Sequence, residues 1–218
     1  MRRHVVRTAW MVALVTALAC LSGPALAAAP SDAPTSTPAT STAASPAAPV
    51  DPRLPHDAVH LEALLPDAVA GTALFKVSYG PPTWALLGPE GTASFVAISD
   101  AFERDIDDLT MAFANDPTAV PVFNLFAIEV AGVPGAGVAE TYGQMAQQAE
   151  VGSTLSPATL GGLPVIHLAA PNNPIRNVWF LGVDGVMLGI QATTEAQAEQ
   201  LLGLLPTSVP AASPSAAP

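Results

Sequence analysis

The arrangement of apolar residues predicts an α+β domain: an antiparallel sheet with helices packed on one face. Three observations predict it. Apolar and polar residues alternate at Leu109, Met111 and Phe113. Apolar residues recur at three- and four-residue spacing at Phe95, Ile98 and Phe102, and again at Val138, Tyr142, Met145 and Ala149. The last third reads as four short strands in succession, with Asp184-Gly185 as the clearest turn. Short turns join antiparallel neighbours, whereas parallel strands need a long crossover. A parallel doubly wound sheet would contradict this reading.

Each element follows from its own residues. Leu61, Leu64 and Leu65 ahead of Pro66 suggest a short helical turn that caps the core, and Gly71 opens a strand through Tyr79 with Lys76 facing outward. Gly80-Pro81-Pro82 breaks that strand; Trp84 to Leu87 reads as a short extended piece before Gly88-Pro89. Ser99, Asp100 and Glu103 occupy the polar side of the Phe95–Phe102 helix. Val122 to Val130 is apolar on both sides, since Phe123, Leu125 and Ala127 face opposite to their neighbours, which places this strand near the sheet centre. Gly132, Pro134 and Gly137 mark the loop before the second helix. Strands over Thr154 to Leu160, Val165 to Ala169, Val178 to Val183 and Val186 to Ala192 complete the sheet. Asp184-Gly185 favours a type I′ hairpin because glycine reaches positive φ at little cost. Thr194 with Gln197 is a capping-box start, and Ala198, Leu201, Leu202 and Leu205 give the last helix its apolar face.

Ahead of this domain, residues 1–27 have the layout of a secretory signal: Arg2, Arg3 and Arg7, an apolar run from Ala9 to Leu21, and the small-residue exit Ala25-Leu26-Ala27. The run is shorter than the roughly 20 residues that span a bilayer, which disfavours an uncleaved anchor. Cleavage after Ala27 is the leading reading, with lipidation at Cys20 as its competitor, because Ala17-Leu18-Ala19-Cys20 is similar to a lipobox. Arg2-Arg3-His4-Val5-Val6 is also similar to the twin-arginine export pattern. Residues 28–58 are rich in Ala, Pro, Ser and Thr and read as a disordered stalk; residues 207–218 read as a disordered tail, leaving 59–206 as a single α+β domain. Its roughly 150 residues suffice for one sizeable core.

Charge and cysteine usage exclude several functions. Cys20 is the only cysteine, so a mature domain has no internal disulfide and no cysteine nucleophile or ligand. Loss of Arg2, Arg3 and Arg7 leaves 4 basic against 18 acidic residues, a formal charge of −14. Nucleic acid is therefore not an expected partner, and an anionic membrane surface would repel the domain; contact with a membrane is expected only through a lipid on Cys20.

Leu61-Glu62-Ala63-Leu64-Leu65-Pro66-Asp67, followed by Val69 and Gly71, resembles the opening of an uncharacterised family of exported, often lipoprotein-like bacterial domains. Asp108-Leu109-Thr110-Met111-Ala112-Phe113, Leu160-Gly161-Gly162-Leu163-Pro164-Val165 and the closing Leu204-Leu205-Pro206 are similar to later parts of it. The resemblance spans about residues 60 to 206 and implies an α+β domain with a signal and a low-complexity stalk. It brings no catalytic motif.

Five groups of residues are candidates for chemistry. His56 and His60, with Glu62 nearby, have the spacing of a helical metal pair but sit at the stalk boundary, which favours a linker. Glu103, Asp105, Asp107 and Asp108 offer oxygen ligands, yet lack the glycine of an EF-hand loop and read as a solvated corner. His167 in a strand is a general base only if a carboxylate approaches it; a strand-face histidine with a local hydrogen bond is favoured. Trp84, Trp179 and Phe180 read as core, with pocket lining as the alternative. Asn172-Asn173-Pro174 with Arg176 reads as a turn rather than a recognition loop. No catalytic residues, metal ligands or cofactor are assigned. The expected function is a non-catalytic extracytoplasmic domain that binds a protein or a small apolar ligand. The alternatives are an enzyme assembled from residues such as His167, Glu129 and Arg176, and a structural envelope protein.

Overall fold

The structure, a computed structural model, describes residues 54–116, 118–173 and 176–207. The predicted signal with Cys20, most of the stalk, the tail beyond 207 and Pro174 lie outside the described residues. In chain order the elements are α1 (Val59–Glu62), β1 (Ala68–Val69), β2 (Thr72–Ala73), β3 (Phe75–Tyr79), a 3₁₀ turn (Trp84–Leu87), α2 (Gly88–Ala101), a second 3₁₀ turn (Ile106–Asp108), β4 (Leu109–Asn115), β5 (Asn124–Val130), α3 (Gly135–Ala149), β6 (Thr154–Leu160), β7 (Leu163–Ala169), β8 (Val178–Val183), β9 (Val186–Gln191) and α4 (Glu195–Leu202). Among the described residues no helix is long and apolar enough to cross a membrane.

Seven strands form one sheet in the order β3-β4-β5-β9-β8-β7-β6, antiparallel throughout; β1 and β2 form a separate small hairpin. The α+β class and the antiparallel sheet are those that the alternation predicts. β5 lies inside the sheet between β4 and β9, as its two apolar faces require. The long helices α2 and α3 both cover one face, where Phe95, Ile98, Val138 and Ala139 pack on Val77, Met111, Phe126, Ile128, Phe180 and Met187. The other face is also covered, by residues around α1 and by α4: Leu61, Leu65, Leu201 and Leu202 pack on Ala112, Leu125, Leu188 and Ile190. One-sided packing thus holds for the two long helices, and the two short ones shield the second face because the central strands are apolar on both sides.

Missing side chains set how closely these layers approach. α3 crosses from β5 to the far edge, passing over β9, β8 and β7. At its start, a methyl on Gly135 would overlap the Val186 backbone and one on Gly182 would overlap the Ala136 backbone, so both positions require hydrogen. The Gly135 N–H also donates to the Asp184 carbonyl at 2.6 Å. At the sheet centre, a methyl on Gly189 would overlap the ring of Phe126, which lies across β9.

Both sheet edges are protected against further pairing. On β3, Ser78 donates to the Pro55 carbonyl at 3.0 Å and accepts from Asp57 N–H at 3.4 Å. The folded unit therefore begins ahead of residue 59, and Ala58 is fully buried. On β6, Pro157 lacks the N–H that an added strand would need.

Four details depart from the local expectations. Ala70 and Gly71 have φ of 50° and 84°, the pair of positive angles a type I′ turn needs, so Gly71 closes the β1–β2 hairpin instead of opening a strand. At Asp184-Gly185 it is Asp184 that takes the positive φ, 49°, and its carbonyl is held by the start of α3. Trp84 to Leu87 is a 3₁₀ turn, not extended: the Trp84 ring is anchored against Phe95 at 4.6 Å and its Nε1–H donates to the Ile106 carbonyl. α2 follows directly from Gly88, with proline in its first turn, where no helical hydrogen bond is lost. Lys76 does not face outward: its ammonium is tucked against the end of the α1 segment, donating to the Glu62 and Leu65 carbonyls at 2.9 and 2.6 Å and to Asp67 at 2.6 Å.

Replacing Gly189 by Ala is expected to destabilise the domain by about 1–3 kcal/mol, the usual cost of overpacking. Urea unfolding measures this. Phe126→Leu in the same chain should recover part of the loss, because the ring is what the methyl displaces.

Candidate functional site

On the α2–α3 face the register aligns Val77, Phe113, Phe126, Gly189, Phe180 and Ile166 in one row across six strands. Phe113 and Phe126 lie 6.2 Å apart, Phe126 and Phe180 6.4 Å, with Gly189 between the last two giving room for the Phe126 ring. Tyr142 joins from α3 at 6.1 Å from Phe126 and 5.8 Å from Phe180, and Tyr79 approaches Phe113 at 6.2 Å from the α2 side. Phe126 and Phe180 are buried, while Phe113 and Tyr142 are only half-buried. Burial pushes the Tyr142 phenol up to about 12, so it is a neutral hydroxyl at ordinary pH.

The next row on this face is different in kind. It aligns Phe75, Asn115, Asn124, Gln191 and Val178. Phe75 is exposed, and Asn115 and Asn124 are half-buried. The carboxamide oxygen of Asn124 is itself buried and accepts no hydrogen bond. An unsatisfied buried acceptor in a native fold calls for a partner. An aromatic floor therefore borders a row of uncharged amides, at the end of the sheet opposite to Ser78 and its partner Pro55.

The residues singled out from sequence fall elsewhere. His56 and His60 bind different carboxylates, Glu62 at 2.8 Å and Glu129 at 2.7 Å, and so tie the α1 segment together and to β5 instead of serving a linker. The second pair is largely exposed and contributes little. Among the described residues no group of three or more His, Cys, Asp or Glu is placed to hold a metal ion. In the acidic corner, Asp105 caps the second 3₁₀ turn by accepting from Asp107 N–H. Trp84 and Phe180 are core on the α2–α3 face and Trp179 on the other. In the turn after β7, Arg176 N–H donates to the Asn173 carbonyl, the Asn177 side chain accepts from Ala170 N–H, and the Arg176 guanidinium pairs with Glu150 at 3.0 Å.

His167 does not make the local hydrogen bond expected of it. Its ring stacks on its cross-strand neighbour Trp179 with centroids 4.4 Å apart and planes within 6°, and its buried Nε2 has no partner. His167, Glu129 and Arg176 do not converge: Glu129 reaches His60, Arg176 reaches Glu150, and β9 and β8 separate β5 from β7. The residues that do converge, Phe113, Phe126, Tyr142, Asn115 and Asn124, were read from sequence as core or turn positions, or passed over.

Comparison of the chain with protein-family models, with curated proteins and with solved structures finds no match.

Burial lowers the His167 pKa below its ordinary 6.5, and the Glu195 charge opposes that shift. Between the folded value and 6.5 the unfolded chain holds more protons, so stability rises with pH across this window and is lost on acidification through it. Urea unfolding from pH 7.5 to 5 should show that loss, and His167→Gln should flatten it. In the folded chain, Trp179 fluorescence should report protonation of the stacked ring with a midpoint below 6.5.

Proposed function

We propose that this chain is an exported, non-catalytic domain, carried on the 28–58 stalk behind a 1–27 signal, that binds a small apolar ligand outside the cytoplasm. Export leaves it released by cleavage after Ala27 or held by a lipid on Cys20, as in the exported bacterial family that its Leu-Pro opening resembles. The observation that carries the binding reading is the half-open aromatic row: Phe113 and Tyr142 remain partly exposed beside the buried rings of Phe126 and Phe180. An aromatic floor with few polar groups suits a small apolar molecule.

The geometry of the two ends supports the same reading. Leu54 and Pro55 lie along the Val77–Tyr79 end of β3, and Leu202 at the close of α4 meets Gly161 in the β6–β7 turn. Both described ends thus leave from one end of the sheet. Phe75, Asn115 and Asn124 stand at the other, so a stalk would leave the open end of the aromatic face clear.

Nile red, a neutral dye that brightens and shifts to the blue in apolar sites, tests this with the full chain. Saturable binding is expected, weakened at least about tenfold by Phe113→Glu, since a charge on the floor must be desolvated. Val59→Glu, on the far face and 63% exposed, should leave binding intact. Absence of saturable binding, or equal binding by the Phe113 variant, would contradict the proposal.

A further inference from the structure

We infer that the ligand of this face is a neutral, ring-bearing molecule with a hydrogen-bond donor, its ring against Phe113 and Tyr142 and its donor on the Asn124 carboxamide oxygen. The inference rests on the apolar-ligand reading and narrows it to a chemical class of phenol-like or indole-like compounds.

Three observations carry it. The first is the unpartnered acceptor. Asn124 Oδ1 is buried among protein atoms without a donor, which is destabilising, and a ligand that supplies the donor removes that penalty on binding. The residue as a whole is only half-buried, and the outer torsion of an asparagine is broad, so a modest rotation brings the carboxamide to an arriving ligand. The second is spacing. Asn124 precedes Phe126 by two positions on β5 and shares its face, so the acceptor lies roughly 7 Å along the strand from the ring row, the span of a fused two-ring molecule. The third is charge. The ring row and the amide row together hold Val77, Phe113, Phe126, Phe180, Phe75, Asn115, Asn124, Gln191 and Val178, none of them ionisable. An ionic headgroup would be desolvated there without a counter-charge, whereas a neutral hydroxyl or ring N–H would not. A trapped water would satisfy the acceptor too, but it would cover none of the apolar surface that Phe113 and Tyr142 leave partly exposed.

Two probes of nearly equal shape separate these terms. 2-Naphthol carries the donor and 2-methoxynaphthalene does not, and both report binding by their own fluorescence at neutral pH. For the full chain, 2-naphthol should bind about 5- to 10-fold more tightly, the worth of one hydrogen bond to a neutral acceptor. Asn124→Leu should bind both compounds with the preference gone; Asn124→Ala serves the same purpose if leucine disturbs β5. Equal binding by the wild-type chain, a preference for the ether, or a preference that survives both Asn124 variants would overturn the inference while leaving the apolar-ligand reading standing. If neither compound binds while Nile red does, the inference falls and the apolar-ligand reading stands; if none of the three binds, both fall.

Discussion

A hydrogen atom in place of a side chain at Gly189 is the constraint on which packing of the sheet's α2–α3 face depends. β9 is the central seam that joins the β3–β4–β5 half to the β6–β7–β8 half. With no methyl on that seam, the Phe126 ring lies flat over it and reaches toward Phe180 on β8, so the two halves share one aromatic layer. Any larger residue would lift the ring, separate Phe126 from Phe180 and raise Tyr142 with the helix that carries it. Gly135 and Gly182 act in the same sense at the start of α3, letting helix and hairpin backbones touch. Close approach at one end and a flat ring at the centre are accompanied by partly buried Phe113 and Tyr142 at the edge of the same cluster.

Covered edges, a cap by Lys76 on the α1 segment, and packed helices on both faces shield the central strands, while β6 at the far edge stays largely exposed and Phe75, Asn115 and Asn124 end the helix face of β3, β4 and β5. The described residues begin at the end of the sheet where β3 is paired with Pro55.

Much of the fold was legible because periodicity is local. The alternation at Leu109–Phe113, the double-sided run around Leu125 and the stripe from Val138 to Ala149 each specify an element without knowledge of its partners. Thr194 and Gln197 were legible as a cap for the same reason: the Thr194 hydroxyl accepts from Gln197 N–H, and the Gln197 side chain reaches back to Thr193 N–H. Trp84 to Leu87 misled because Gly88-Pro89 looks like a break, although proline is compatible with a first helical turn. Lys76 misled because alternation says which face a side chain takes, not whether backbone carbonyls wait there. The candidate site itself was hidden by register. Phe113, Phe126 and Phe180 are 13 and 54 positions apart in sequence and become neighbours only once β4, β5, β9 and β8 are paired. One local signal did exist: a lone glycine inside the apolar run Val186 to Gln191 marks close approach of another group. Histidine and acidic clusters drew attention because their chemistry is conspicuous, yet the structure uses His56, His60 and Asp105 to fasten the chain.

A crystal structure of the full chain soaked with 2-naphthol examines the central claim most directly, since it sees ring, donor and acceptor at once. The account predicts the naphthalene ring between Phe113 and Tyr142, with its hydroxyl within hydrogen-bond distance of Asn124 Oδ1. Naphthol bound elsewhere, with ordered water on Asn124 and the aromatic row closed over by neighbouring side chains, would contradict it.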